Sequence, residues 1–359
     1  MKNYNIKDYR KERWEGYKDY HCKMMLIGDC DPAYPALRYV ADRFELNKEQ
    51  RYWLAFLYSL SYCVATTYFM CNEFPDYENV DLRRVENWWK INKSKTLFQT
   101  DRAKVKNFNL ITKIMKSYQD LLNGQSQSYT FERKLCYDKQ KNYDKIYEFA
   151  SGIYYFGRFS LFLYLETLNA LTDLPIEPTI LNFKEAESCR NGLIYAMGKE
   201  NDLATMHHKP SRKKLTPEVY DILQKTLVKL QMELLHENPD LPINLWNIET
   251  SLCAYKKLFW QSRYLGYYID RMQEEINFME QKVTTGVDWS VLWDFRKEYF
   301  DHTWLGELNS WNRIQKPKME TVINTGNIIG KSLHNYNIPN EYKREVYFRG
   351  KNKAYESFN

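Results

Sequence analysis

Turn-forming residues are scarce in this chain, with 13 Gly and 11 Pro spread over 359 residues. A β-sandwich, barrel or propeller needs such residues about every ten positions. Long helices demand far fewer, so the expected fold class is all-α. Apolar residues over 36–72 recur with the period of a helix and give two helices split near Leu46 and Asn47. There Asn47 and Gln50 hold the N-cap and N3 positions of a capping box. Further helices are expected at about 5–25, 81–90, 102–122, 141–152, 158–171, 192–199, 217–236, 249–282 and 289–299. A Pro-broken loop spans Asp29 to Pro35, and the polar stretch 123–128 is the best internal boundary. It divides an N-terminal lobe, 1–125, from a larger helical core, 126–320, with an Asn-rich extended tail over 321–359.

Aromatic residues reach 16% and apolar residues 44%, enough to build the core of a soluble globular protein. No apolar run approaches the roughly 20 residues needed to cross a bilayer. The first dozen residues also lack the apolar segment of a secretory signal, which points to the cytoplasm. Seven cysteines form an odd set without a C-x-x-C pair and are read as reduced thiols. Zinc and calcium motifs are absent, as are both glycine-rich phosphate loops, so neither a metal nor a nucleotide cofactor is expected.

Positive charge is concentrated. Between Lys90 and Lys116 lie eight basic residues and one acid, a local +7 within a chain of net charge +6. Such a segment is the footprint of a polyanion, and Trp88 and Trp89 beside it suit nucleic acid. Lys95, Asp101, Arg102, Lys104 and Lys106 are the candidate DNA-binding residues here, with Thr100 and Asp101 marking the start of a helix. Lys209 and Arg212 belong to a second basic cluster, ahead of the helix start at Thr216 and Pro217. The alternative for both clusters is a set of solvated lysines.

Three constellations carry chemistry. From Ala150 to Glu166 a helix ends, a short turn closes at Gly157 and a nearly all-apolar helix begins. This is a helix-hairpin-helix outline whose second helix can hold a DNA phosphate on its free amides, although Tyr155 stands where the first turn glycine belongs. Arg158, Phe162 and Glu166 share one ridge of that helix, so the two charges face a partner, a cleft or each other. Next, Arg190 beside the Asn191–Gly192 turn sketches a phosphate pocket at a helix start, or else a plain turn with a solvated arginine. Finally, Glu249, Lys256, Arg263 and Asp270 recur every seven residues with Cys253, Trp260 and Tyr267 between them. That stripe is either a substrate-lining face or a salt-bridged one.

Several motifs together resemble a phage DNA hypermodification family, the amino acid:DNA transferases, also called α-glutamyl/putrescinyl thymidine pyrophosphorylases. They are Thr100-Asp101-Arg102, Phe156 to Glu166, Pro175 to Pro178, Ser188 to Leu193, Glu249 to Lys256 and Arg263 to Asp270; the resemblance covers roughly residues 80 to 310. It implies a helical fold related to helix-hairpin-helix DNA glycosylases. It also implies a reaction on double-stranded DNA, in which 5-hydroxymethyluracil has been pyrophosphorylated by a partner kinase and an amino acid or polyamine then replaces the pyrophosphate. The setting is the cytoplasm of an infected bacterium.

Under this resemblance Arg158 and Arg190 match the leaving-group role and Glu166 that of base. Lys256, Arg263 and Asp270 line the substrate stripe, Gly157 meets DNA, Asn191 binds substrate, and Trp260 or Tyr267 stacks on a flipped base. The alternatives are a non-catalytic helical DNA-binding protein or a glycosylase, for which Glu177 is the nearest carboxylate.

Overall fold

Helix starts are set by local chemistry wherever the side chain of an N-cap residue is free to turn back. Asn47 accepts the Gln50 amide at 3.0 Å while the Gln50 side chain accepts the Asn47 amide at 2.9 Å, completing the expected capping box. The computed structural model describes residues 9–203, 215–259, 263 and 265–300, followed by the backbone of four strand segments. Fifteen α-helices occupy the described part up to residue 300, so the body of the fold is all-α.

In chain order they are α1 (Arg13–Leu26), α2 (Ala33–Arg43), α3 (Lys48–Ser61), α4 (Val64–Glu73), α5 (Leu82–Asn92), α6 (Ala103–Asn107), α7 (Ile111–Leu122) and α8 (Gln127–Glu132). There follow α9 (Lys139–Ala150), α10 (Arg158–Thr172), α11 (Glu187–Ala196), α12 (Pro217–Glu237), α13 (Leu245–Tyr255), α14 (Tyr267–Lys282) and α15 (Ser290–Tyr299). Beyond them β1 (Met319–Asn324), β2 (Asn327–Ser332), β3 (Glu345–Tyr347) and β4 (Glu356–Ser357) pair antiparallel in the order β2-β1-β3-β4. No helix among the described residues is long and apolar enough to cross a membrane. None of the seven cysteines is in a disulfide.

Two compact units divide the chain. The first comprises Met1–Asp31, Thr179–Arg271 and Tyr299–Asn359; the second comprises Pro32–Pro178 and Met272–Glu298. The stretch 123–128, read above as a lobe boundary, lies inside the second unit. That unit is built on α3 and α10, whose contact buries both nearly all round. Phe56 stacks on Tyr118 at 4.0 Å, and the Tyr164 hydroxyl donates to that of Tyr118 at 3.1 Å. A helix apolar on every side belongs at the centre of its unit, and α10 lies there.

The first unit is built on α11 against α13, with α1 packed on both. Its interior holds a sealed polar network in which Tyr17 and His21 both hydrogen-bond to Ser251, at 2.7 and 2.8 Å. Burial lowers His21 to about 4, so the imidazole is neutral at pH 7.

Three expected elements differ from what is observed. The helix expected over 102–122 is two helices, α6 and α7, parted where Asn109 takes the left-handed conformation, and Thr100 and Asp101 cap neither. The helix expected over 249–282 is broken between Tyr255 and Tyr267, because Asp29 caps a new start: its carboxylate accepts the amides of Gly266, Tyr268 and Ile269 at 2.8, 2.8 and 3.1 Å. Asn191 and Gly192 form no turn but sit inside α11, where the glycine lets two helix backbones meet.

Candidate functional site

In the second unit, α9, a tight turn and α10 make the expected hairpin. Tyr155 adopts φ +66, the left-handed conformation that glycine supplies most cheaply at such a turn. Ile153 and Phe156 hold it by burying their side chains. The helix begins at Gly157 without a side-chain cap, and its first internal hydrogen bond runs from the Leu161 amide to the Gly157 carbonyl at 3.0 Å. The amides of Arg158, Phe159 and Ser160 therefore lie ahead of the helical ladder, at the positive end of the helix dipole. Nothing stands within 4 Å of where a Gly157 side chain would project.

Arg102 reaches this helix start from the interior. Its guanidinium is 2% exposed, faces the Phe156 ring at 5.4 Å and donates through Nη1 to the Ser160 hydroxyl. Its Nε and Nη2 are buried and have no hydrogen-bond partner among the described residues. Burial lowers Arg102 to about 10, which still leaves it charged at neutral pH. An arginine held in this way lacks an anion, since unfilled buried donors are costly. Arg158 is half-exposed, lies over the Phe162 ring at 6.0 Å and makes no ion pair with Glu166. Glu166 is buried, and its Oε2 accepts the Tyr34 hydroxyl at 2.7 Å.

The basic segment is more structural than its composition suggests. Lys90 and Lys116 pair with Glu86 and Asp120, Lys93 and Lys95 donate to Asn109 and Asn92, and Lys106 donates to the Thr96 carbonyl. Lys104 and Lys113 are exposed without an ion pair, and Asp101 is exposed beside them in sequence. Trp88 packs on Phe69 and Phe74, and Trp89 on Phe98, so this aromatic pair turns inward; the exposed ring of the region is Phe108, at 68%. Replacing Lys104 and Lys113 with Gln is expected to weaken duplex binding irrespective of sequence. The slope of log K against log salt should flatten by about 0.9 for each phosphate contact removed. An unchanged slope in a salt titration would mark both as solvent-facing only.

In the first unit α11 and α13 bring together residues far apart in sequence. Lys256, 5% exposed, donates to the Ser188 hydroxyl at 2.6 Å. Burial lowers its pKa, against the nearby charges of Cys253, Cys189, Glu249 and Glu187. Arg190 donates through Nη1 to the Phe183 carbonyl at 2.8 Å and lies 3.8 Å from Glu187, while its buried Nε has no hydrogen-bond partner. Asn191 is fully buried beside it in α11. Arg263 covers the Tyr267 ring at 3.8 Å, so this tyrosine already stacks on a cation.

Asp31 completes the group and was missed in the sequence, where it reads as one more polar residue of a Pro-broken loop. It is 7% exposed, sits at φ +52, and its Oδ2 is buried without a hydrogen-bond partner among the described residues. Burial raises its carboxyl to about 7; the Thr250 hydroxyl bond opposes the rise and the charge of Glu249 adds to it. The break before α14 takes Lys256 and Arg263 off any common helical stripe, while Glu249 on α13 and Lys256 in the turn that continues it remain neighbours. Asp270 lies in α14, whose backbone is described there without the side chain. Lys209, Arg212 and Trp260 lie outside the described residues.

These two assemblies, an open helix start backed by a buried arginine and a buried set of carboxyls and cations, equip the chain for anions and for a charged small molecule. Comparison with known proteins agrees with that chemistry. A serinyltransferase of Salmonella phage ViI is 28% identical over 298 residues, which span 77% of this chain and 71% of the relative. The profile of the amino acid:DNA transferases matches residues 26–264, well over half of the chain. The chain therefore belongs to the amino acid:DNA transferase family and is a DNA-modifying amino acid transferase.

Proposed function

We propose that the enzyme joins an amino acid or related amine to a thymine-like base in double-stranded DNA, displacing pyrophosphate from 5-pyrophosphoryloxymethyluracil. A separate kinase acting on 5-hydroxymethyluracil must supply that group, because hydroxide is a poor leaving group. The carrying observation is the start of α10, where the two unfilled donors of Arg102 stand beside Ser160 and three open amides. Phosphate oxygens suit such donors, and charge that develops on a departing diphosphate strengthens their hold. Arg158, at the first position of the same helix, adds a half-exposed cation. The phage relative's name makes serine the first amine to try. An infected bacterial cell is the natural setting.

Nucleoside mass spectrometry tests the reaction. DNA carrying the pyrophosphorylated base, incubated with the protein and a mixture of amino acids and polyamines, should yield an aminated nucleoside and one pyrophosphate per event. DNA with 5-hydroxymethyluracil alone should be unchanged. Equal products from both substrates would exclude pyrophosphate as the leaving group. Arg158→Ala is expected to lower kcat by about 10²-fold or more while duplex affinity stays within about twofold. Because Arg158 makes no ion pair among the described residues, the variant's melting curve should match that of the wild type. Loss of folding in that variant would assign the residue a structural role.

A further inference from the structure

Asp31 stands out among the buried groups because, although Thr250 hydrogen-bonds its carboxyl, Oδ2 is buried with no hydrogen-bond partner among the described residues. The His21, Ser251 and Tyr17 network is equally polar, but its three residues are at 0% exposure, with His21 Nδ1 and the Tyr17 hydroxyl both bonded to Ser251 and only His21 Nε2 left without a partner among the described residues. Asp31, Glu249, Thr250 and Lys256 are buried but keep between 5% and 8% exposure, so each retains an edge at the surface. Two neighbouring carboxyls, one with a buried oxygen left unfilled among the described residues, suit a cation with hydrogens to donate. Lys256 is also a charge neighbour of Glu249, and its ammonium donates to Ser188.

We infer that Asp31 and Glu249 form the subsite that receives the ammonium group of the incoming amino acid, and that Lys256 receives its α-carboxylate. The inference rests on the amine-transfer reading above. An amino acid zwitterion suits both kinds of group at once, donating to the unfilled Asp31 oxygen and accepting from Lys256. The entering charge also offsets the burial that otherwise keeps Asp31 protonated up to about pH 7.

In the transfer step one proton passes from the ammonium to the Asp31 carboxylate. The nitrogen lone pair so freed forms the C–N bond to the 5-methylene carbon of the base. The C–O bond breaks, and its electron pair leaves with pyrophosphate. Glu166 is less suited to that proton, since one of its oxygens already accepts Tyr34.

Isothermal titration of the full-length protein tests the subsite directly. Each of the twenty standard amino acids is titrated with a duplex containing 5-hydroxymethyluracil present, which lacks the leaving group and so permits binding without turnover. At least one amino acid should bind the wild type, and its α-hydroxy acid counterpart, without the ammonium, should bind at least tenfold more weakly. Asp31→Asn and Glu249→Gln should each weaken the amino acid at least tenfold and leave duplex affinity unchanged. Lys256→Gln should weaken the amino acid but not the matching decarboxylated amine. The proposal is overturned if no amino acid binds, if the hydroxy acid binds equally well, or if the two carboxyl variants bind within twofold of the wild type. The hydroxy-acid arm uses only wild-type protein and so is independent of how the variants fold. Binding without any product from pyrophosphorylated DNA would instead count against the pyrophosphate reaction and leave the subsite in place.

Discussion

Asp31→Asn is expected to reduce transfer by about 10² to 10⁴-fold, the usual contribution of a positioned general base, while making the free protein more stable above pH 7. Opposite signs for activity and stability set a functional residue apart from a structural one. The substitution is nearly isosteric, Asn tolerates the φ of +52 found here, and its carbonyl can still accept the Thr250 hydroxyl. What changes is the charge.

In the folded protein burial keeps the Asp31 carboxyl protonated up to about pH 7, against 3.8 for an ordinary aspartate. The folded state thus binds more protons between those values, and stability falls as pH rises from about 4 to 7 and then levels off. The full difference corresponds to at most about 4 kcal/mol, since one pKa unit is about 1.4 kcal/mol. Asn carries no such penalty. Melting curves of both proteins should nearly coincide at pH 4 and separate in favour of the variant as pH approaches 8. Glu249 and Thr250 on α13 and Tyr268 on α14 are the polar groups facing Asp31, so Glu249→Gln should shift the separation to lower pH. A variant less stable than the wild type at pH 8 would mean that Asp31 is structural.

Gly192→Ala is expected to cost more than about 3 kcal/mol, the range of severe overpacking against backbone. A methyl group built on Gly192 would lie 2.0 Å from the Leu252 carbonyl oxygen and 2.5 Å from its carbon. Backbone cannot turn aside as a side chain can, so α11 and α13 must separate. Their contact is what holds Ser188 at 2.6 Å from Lys256, and amino acid affinity should therefore fall together with stability. Gly157→Ala is the control for stability, with φ −84 and nothing within 4 Å of the added methyl group. Denaturant unfolding that shows similar midpoints for both alanine variants would contradict the close helix contact.

The sequence alone determined the all-α character, most helix positions and the central place of α10. Each depends on neighbours a few residues away: the Asn47 and Gln50 cap, the scarcity of Gly and Pro, an apolar run without a polar face. The hairpin before Arg158 was legible for the same reason, even with Tyr155 in the glycine position. Tertiary structure alone decided the rest. Asp29 breaks the expected long helix by capping amides some 240 residues away in sequence, with separations of 237 to 240. Gly192 is a residue of close helix contact, although its local sequence reads as a turn. Arg102 became a buried donor and Asp31 a buried acceptor through contacts that no window of sequence contains. Periodicity reports which face of a segment is apolar, whereas the burial and charge state of one polar side chain depend on what other segments bring against it.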